Sequence, residues 1–291
     1  MSPTPDGDQQ AAAALADLLE VMRRLRDPVN GCPWDRAQDF ASIAPYTLEE
    51  AHEVADAIAR EDWTQLRDEL GDLLFQVVFY ARLGEERGWF DFASLTSSIR
   101  DKLQRRHPHV FAAQDSQATD AHTLNQAWEH SKAGERAAQG ATGVLDGVAL
   151  ALPALTRAAK LGKRAARVGF DWPDAGAVAG KVREELTELT SELAAGQQDA
   201  ASEELGDLLF ALAQYSRHLG LDPESALRQA NRKFERRFQA MERQSQAAGL
   251  DGGVLLAAAW DQLWNSVKLA ERKTALPEGD RNRQSRDDRD K

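Results

Sequence analysis

Apolar residues recur along most of this chain at intervals of three and four, the period of an α-helix that buries one stripe. Leu15, Leu18, Leu19, Met22 and Leu25 form such a stripe and predict a helix over about residues 10–26. Asp27-Pro28 stops it, because the residue before a proline is pushed away from helical geometry. Asn30-Gly31-Cys32-Pro33-Trp34-Asp35 then reads as a loop. Further helices are predicted over about residues 42–60, from an Asp62 cap to near Gly88, and over 92–106, where His107-Pro108 ends the run. A polar stretch, 113–120, leads to a short helix that carries Trp128 and Lys132. The pattern resumes at about 155–167, 174–195, 199–219, 222–247 and 253–271. Val77-Val78-Phe79 is the most strand-like run, yet it lies inside a helical pattern, so the expected fold class is all-α.

One part of the pattern occurs twice. Glu49-Glu50-Ala51-His52-Glu53, followed by Glu69-Leu70-Gly71-Asp72-Leu73-Leu74-Phe75, returns as Glu184-Glu185-Leu186-Thr187-Glu188 and Glu204-Leu205-Gly206-Asp207-Leu208-Leu209-Phe210. The differences 185−50, 188−53, 204−69 and 207−72 all equal 135. That period is too long for a solenoid and fits duplication of a whole helical-bundle domain. The expected organisation is a domain at 9–132, a Gly- and Ala-rich linker at 133–152, a second domain at 153–272, and disordered ends at 1–8 and 273–291.

Glu185 and Glu188 are i, i+3 neighbours, as are Glu204 and Asp207, so each pair lies on one helical face. Two such helices packed antiparallel bring four carboxylates together, and Glu50, Glu53, Glu69 and Asp72 repeat the arrangement. Clustered carboxylates repel, so they need shifted pKa values or a cation. Oxygen-only donors favour a hard ion, Mg²⁺ before Mn²⁺ or Ca²⁺. A merely solvated acidic face is the plainer reading. Against it, Leu186, Leu189, Leu205, Leu208 and Leu209 interleave with the second set, and Val54, Leu70, Leu73 and Leu74 with the first, so these faces are expected to meet a core.

Cations and aromatics repeat too. Lys102 and Arg106 recur as Lys233 and Arg237, and Trp128 with Lys132 recurs as Trp264 with Lys268. An acidic metal cluster joined by Lys, Arg and Trp is what a nucleoside triphosphate site requires, for phosphate neutralisation and base stacking. The competing readings are surface solvation for the cations and core packing for Trp128 and Trp264. Trp34 and Trp172 serve either as core plugs or as walls of a base pocket. Glu49-x-x-His52 imitates a di-iron motif, but Thr187 replaces the histidine in the second copy. There is no phosphate loop of the Gly-Lys-Ser type and no cysteine cluster for zinc.

The net charge of −11 argues against a nucleic-acid surface, although local cations and a metal still permit nucleotide binding. The single cysteine, Cys32, excludes an intrachain disulfide and fits a reducing compartment. With neither a signal peptide nor a long apolar run, the expected location is cytoplasmic, away from membranes.

At the doubled Glu-Glu-x-x-Glu and Glu-x-x-Asp pairs the chain resembles the MazG family of all-α nucleoside triphosphate pyrophosphohydrolases. The resemblance extends to Gly31-Cys32-Pro33-Trp34-Asp35, Arg105-Arg106-His107-Pro108-His109-Val110-Phe111, Val168-Gly169-Phe170-Asp171-Trp172 and Lys233-Phe234-Glu235-Arg236-Arg237-Phe238. It implies two tandem four-helix-bundle-like domains in a homodimer, and Mg²⁺-dependent hydrolysis of NTPs and dNTPs to the monophosphate and pyrophosphate. Carried over by motif position, the metal ligands are Glu185, Glu188, Glu204 and Asp207, with nucleotide contacts from Lys181, Glu184, Lys233, Arg237, Trp264 and Lys268. The expected mechanism is metal-assisted attack of water on phosphorus, with Glu184 or Glu185 as base and Lys233 and Arg237 on the leaving pyrophosphate. The alternative is a regulatory protein that senses nucleotides without turnover. Lys181 corresponds to Tyr46 in the first copy (181−135 = 46), so the second copy has the extra cation and is expected to be the main catalytic site. Pro45 is read as marking the start of the helix that carries Tyr46.

Overall fold

A computed structural model describes residues 5–111, 134, 143–249 and 257–275. The chain divides into two compact units, Met1–Ala133 and Gly134–Lys291. Among the described residues every regular element is a helix. The first unit contains α1 (Pro5–Leu25), α2 (Pro33–Ala37), α3 (Phe40–Arg60), α4 (Trp63–Glu86), α5 (Phe92–Arg106) and α6 (Pro108–Phe111). The second contains α7 (Ala154–Ala166), α8 (Ala175–Ala194), α9 (Gln198–His218), α10 (Pro223–Ala247) and α11 (Ala257–Ala275). The short helix expected around Trp128 and Lys132, and most of the tail expected to be disordered, lie outside the described residues.

Several boundaries differ from expectation for local reasons. α1 begins at Pro5, about five residues before the expected start and inside the stretch expected to be disordered, with Asp6 and Asp8 in a first turn where negative charge suits the helix dipole. The loop at 30–35 contains a short helix that starts at Pro33, a residue with no N–H to lose in a first turn. α3 starts at Phe40, earlier than expected, because Asp39 and Ser42 form a capping box. Pro45 therefore lies inside α3 and does not start it. Gly31 is required by close approach: a Cβ there would meet the carbonyl oxygens of Leu25 and Asp27 at 2.5 Å.

In the first unit α3 and α4 form a tight hairpin, with α1 and α5 against α4. Met22, Ile43, Val78, Phe79 and Leu83 make the core, flanked by Leu18, Leu19, Phe40, Phe75, Tyr80 and Phe92. Arg26, with only 8% of its side chain exposed, pairs with Glu86 at 2.7 Å. It also donates to the carbonyl oxygens of Asp35 and Gln38 and lies over the Phe79 ring at 5.3 Å. One guanidinium thus joins the end of α1, the α2 loop and the end of α4.

In the second unit α8 and α9 form the equivalent hairpin, and α7 packs on α9 and α10. The hairpins share their turn: Glu61 and Gly196, again 135 apart, both have left-handed backbone, at φ 57° and 72°. Glycine takes that conformation freely; glutamate takes it at a cost of about 1 kcal/mol. The interiors differ at equivalent positions. Phe79 and Gln214 (79 + 135) are both 0% exposed, yet one is apolar and the other polar. Gln214 donates to the Ala158 carbonyl at 2.7 Å and accepts from Arg217 Nε at 2.9 Å. Gly162 of α7 leaves room for the Gln214 amide. Arg217 continues to Asp171, which also contacts His218 at 3.0 Å, and so the loop before α8 is tied to the end of α9.

Arg217 is the main cause that lowers the Asp171 pKa to about 2, with His218 and the Trp172 N–H adding to it. A folded-state pKa below the unfolded value near 3.9 gives stability that is present above that value and disappears as pH falls toward 2. Asp171→Asn is therefore expected to melt at a lower temperature than wild type at pH 7, with the difference closing between about pH 4 and pH 2. Circular-dichroism melts across that range check it; a difference independent of pH would show that the carboxylate charge is not the source.

Candidate metal centres and cation cluster

Each hairpin turns its carboxylates toward one another. In the first unit Glu50 of α3 and Glu69 and Asp72 of α4 offer oxygens within 4.8 Å of one another; in the second, Glu185 and Glu188 of α8 and Glu204 of α9 do so. The structure therefore brings together six of the eight expected ligands as two groups of three. Glu53 lies against Glu50 and Glu69, and Asp207 is close enough to Glu204 to affect it electrostatically. The Glu69 charge is the largest cause that raises the Glu53 pKa, and Asp207 adds to the raised pKa of Glu204, where burial leads. Burial, then Asp72, pushes Glu50 upward.

The donor set fits a hard divalent cation: oxygen only, three carboxylates from two helices, and raised proton affinity where no cation relieves the repulsion. The interleaved leucines do not all reach a core as expected. Leu186, Leu205 and Leu209 are about half exposed, as are Leu70 and Leu74, because the chain itself supplies no partner for those faces of the hairpins among the described residues. A recess of about 800 Å³ in the first unit is lined by residues such as Glu20, Arg24, Asn30 and Cys32, and the clustered acids of α3 and α4 do not line it.

The units differ in counter-charge. Lys181 Nζ lies 2.6 Å from Glu184 and 2.7 Å from Glu185, whose side chain is 7% exposed. This contact is the largest cause that lowers the Glu185 pKa, and Glu184 leads the causes that raise that of Lys181. In the first unit Tyr46 holds that position, on a continuous helix and in edge contact with Trp34, ring centroids 6.1 Å apart. His52 is exposed.

The remaining expected nucleotide contacts gather on α10 and α11. Phe234 packs on Trp264 and Phe238 stacks on Trp260, centroids 5.8 and 5.5 Å apart, which fixes α11 against α10. Arg237 lies over Trp264 at 5.3 Å, with Lys268 Nζ at 6.0 Å. Trp264 is thus neither a core plug nor a bare stacking surface. Lys233, one turn before Arg237, is exposed. The Arg237 Nε and Nη2 groups both lie 2.8 Å from Glu271 Oε2. Cation spacing alone does not reveal Glu271. Its signal is a longer repeat: Trp264, Lys268, Glu271 and Arg272 match Trp128, Lys132, Glu135 and Arg136, each 136 apart.

A duplicated all-α chain with an acidic hairpin in each half, and with basic and aromatic groups nearby in sequence, defines a class of helical metal-dependent phosphohydrolase. The model of the MazG nucleotide pyrophosphohydrolase domain matches at residues 38–111 and 177–241, one segment in each unit. A nucleoside triphosphate pyrophosphohydrolase from Escherichia coli K12 is 52% identical over 256 residues, which cover 87% of this chain and 97% of that protein. A nucleoside triphosphate pyrophosphohydrolase/pyrophosphatase MazG from Thermotoga maritima is 39% identical over 260 residues, 89% of this chain and 98% of that one. The chain belongs to the MazG family. The crystal structure of a mazG-related protein from Thermotoga maritima overlays with a TM-score of 0.35 at 24% identity, over 40% of this chain and 98% of that one, too loosely to add to the argument.

Lys181 competes with any cation that approaches Glu185. Lys181→Met is expected to bind Mn²⁺ about two- to five-fold more tightly than wild type without nucleotide, the range that one partly exposed ion pair supports. Isothermal titration calorimetry checks it; unchanged or weaker binding would show that the ammonium does not compete.

Proposed function

We infer that this chain is a nucleoside triphosphate pyrophosphohydrolase that releases pyrophosphate and the nucleoside monophosphate. The observation that carries the reading is the Glu185, Glu188 and Glu204 group, with oxygens within 4.8 Å of one another and Lys181 beside them. It occurs in a chain 52% identical, nearly end to end, to a protein named for that activity. Both NTPs and dNTPs are taken as substrates.

Glu185, Glu188, Glu204 and Asp207 would hold a divalent ion, Mg²⁺ first and Mn²⁺ as substitute, and Glu50, Glu53, Glu69 and Asp72 would hold another. Such an ion supplies charge neutralisation of the phosphate oxygens and polarisation of water. The residues of the chain do the rest. Glu184 or Glu185 accepts the proton of the attacking water. Lys181 gives its ammonium to the triphosphate. Lys233 and Arg237 donate to the leaving pyrophosphate, and charged donors of this kind bind about twice as strongly as neutral ones. Trp264 and Lys268 complete the nucleotide contacts.

The second unit is the main catalytic centre in this reading, because Lys181 adds a charge where Tyr46 has a hydroxyl. The position of Tyr46 on α3 strengthens the comparison, since both side chains precede the acidic pair by one helical turn. The half-exposed leucines of the hairpins support a homodimer that covers them. No helix among the described residues is long and apolar enough to cross a membrane, and the cytoplasm is the proposed location.

The test is pyrophosphate release from a mixture of NTPs with Mg²⁺. Wild type is expected to turn over, Glu188→Ala to lose about 100-fold, and Glu53→Ala to lose little. Binding without pyrophosphate release would favour a nucleotide sensor. Equal losses in the two variants, or a larger loss in Glu53→Ala, would overturn the assignment of the second unit.

A further inference from the structure

We propose that Glu271 is a positioning residue for the reaction, acting through Arg237. The inference rests on the assignment of Arg237 to the pyrophosphate and adds a residue which that assignment leaves out.

Two contacts and its own tether define the guanidinium. Glu271 Oε2 takes the edge formed by Nε and Nη2, each at 2.8 Å. The Trp264 ring takes one face, with the guanidinium carbon 5.3 Å from its centroid. The main chain of α10 fixes the other end of the side chain. An edge and a face together leave a planar group one orientation, with Nη1 on the side away from Glu271. Arginine binds a phosphoryl group through a rigid fork of donors, so its orientation decides whether a bond forms.

The hold is itself supported. Trp264 packs on Phe234, and Arg236 reaches the other Glu271 oxygen at 3.3 Å. Glu271 lies on α11, one turn beyond Lys268, and Arg237 lies on α10, so the pair also joins the two helices. The Arg237 side chain is 20% exposed and that of Glu271 30%, a partly sheltered setting where the pair is stronger than on open surface. The sequence gives a separate indication. The glutamate recurs at the same spacing from the tryptophan and lysine in the first half, as Glu135 after Trp128 and Lys132. The repeat keeps the glutamate in one register with the tryptophan and lysine that share the Arg237 cluster.

A glutamate beside a phosphate-binding arginine also lowers its net attraction for anions. Geometry decides which effect prevails. Glu271 occupies the Nε edge and not the Nη1 end, so it costs the site some charge and supplies direction. Directed donors act on the leaving group more than on ground-state binding, so the loss is expected in kcat more than in KM.

The experiment is steady-state pyrophosphate release from ATP with Mg²⁺ by wild type, Glu271→Ala, Glu271→Asp, Arg237→Ala and the Glu271→Ala/Arg237→Ala double variant, with melting temperatures for all. Glu271→Ala is expected to lower kcat by about ten-fold with KM changed less than three-fold, the size expected for one charged hydrogen bond. Glu271→Asp should recover part of the loss. In the Arg237→Ala background Glu271→Ala should cost nothing further. The inference is overturned if Glu271→Ala keeps wild-type kcat while Arg237→Ala is impaired, or if the two losses simply add. It is overturned equally if a raised KM accounts for the whole loss. If Arg237→Ala itself behaves as wild type, the assignment of Arg237 fails, and that result is separable from the others. A fall in melting temperature equal in both backgrounds would mark a role confined to packing.

Discussion

Repulsion among carboxylates is the constraint to which the hairpins answer. Three or four acidic side chains on two adjacent helices oppose the packing of those helices, and the chain accepts this cost twice. In the second unit the compensation is internal: an ammonium one turn along α8 contacts two of the acids. In the first unit no lysine occupies that position, and Glu50 and Glu53 both have raised proton affinity; in the second unit Lys181 lowers that of Glu185, while Glu204, beyond its reach, is still raised. The same acidic scaffold thus exists in two electrostatic states within one chain. Both depend on tight hairpins whose turns share a left-handed residue at the same register.

The rest of each unit holds its hairpin in place by different means. The first uses an apolar core around Phe79, with Arg26 laid over that ring and anchored at Glu86. The second uses a polar chain that runs from the Ala158 carbonyl through Gln214 and Arg217 to Asp171. Buried polar groups are costly when half satisfied and rigid when fully satisfied. The hydrogen-bonded route therefore positions the loop before α8 more sharply than packing alone, and it does so in the unit that carries Lys181.

The helices and the acidic groups were legible in the sequence because both depend on short-range periodicity. The approach of Glu185 and Glu188 to Glu204, with oxygens within 4.8 Å of one another, follows from their spacing on two paired helices. What spacing could not supply was anything that depends on neighbours distant in sequence. The expectation that Leu205 and Leu209 are buried assumed that each apolar face finds a partner within the chain. Reading Pro45 as a helix start missed the capping box at Asp39 and Ser42, which overrides the proline a turn and a half later. Glu271 was missed because its partner lies 34 residues away on another helix. The polar interior at Gln214 was missed because a glutamine within a helical stripe does not by itself indicate burial.

The contact between Gly162 and Gln214 has a consequence for how the two halves could have diverged. The amide fits only because α7 has no side chain there, and Arg217 Nε donates to that amide. A phenylalanine at 214, the residue found at 79, would press on α7, remove the donor to the Ala158 carbonyl and leave Arg217 Nε without its acceptor in one step. The reverse change in the first half would put an amide into an apolar core beneath Arg26. Neither exchange is therefore tolerable alone; each needs its neighbours on α7 or α1 to change with it. A segment copied from one half into the other would thus carry a residue that its new surroundings do not accommodate, so the two interiors are interchangeable only as whole units.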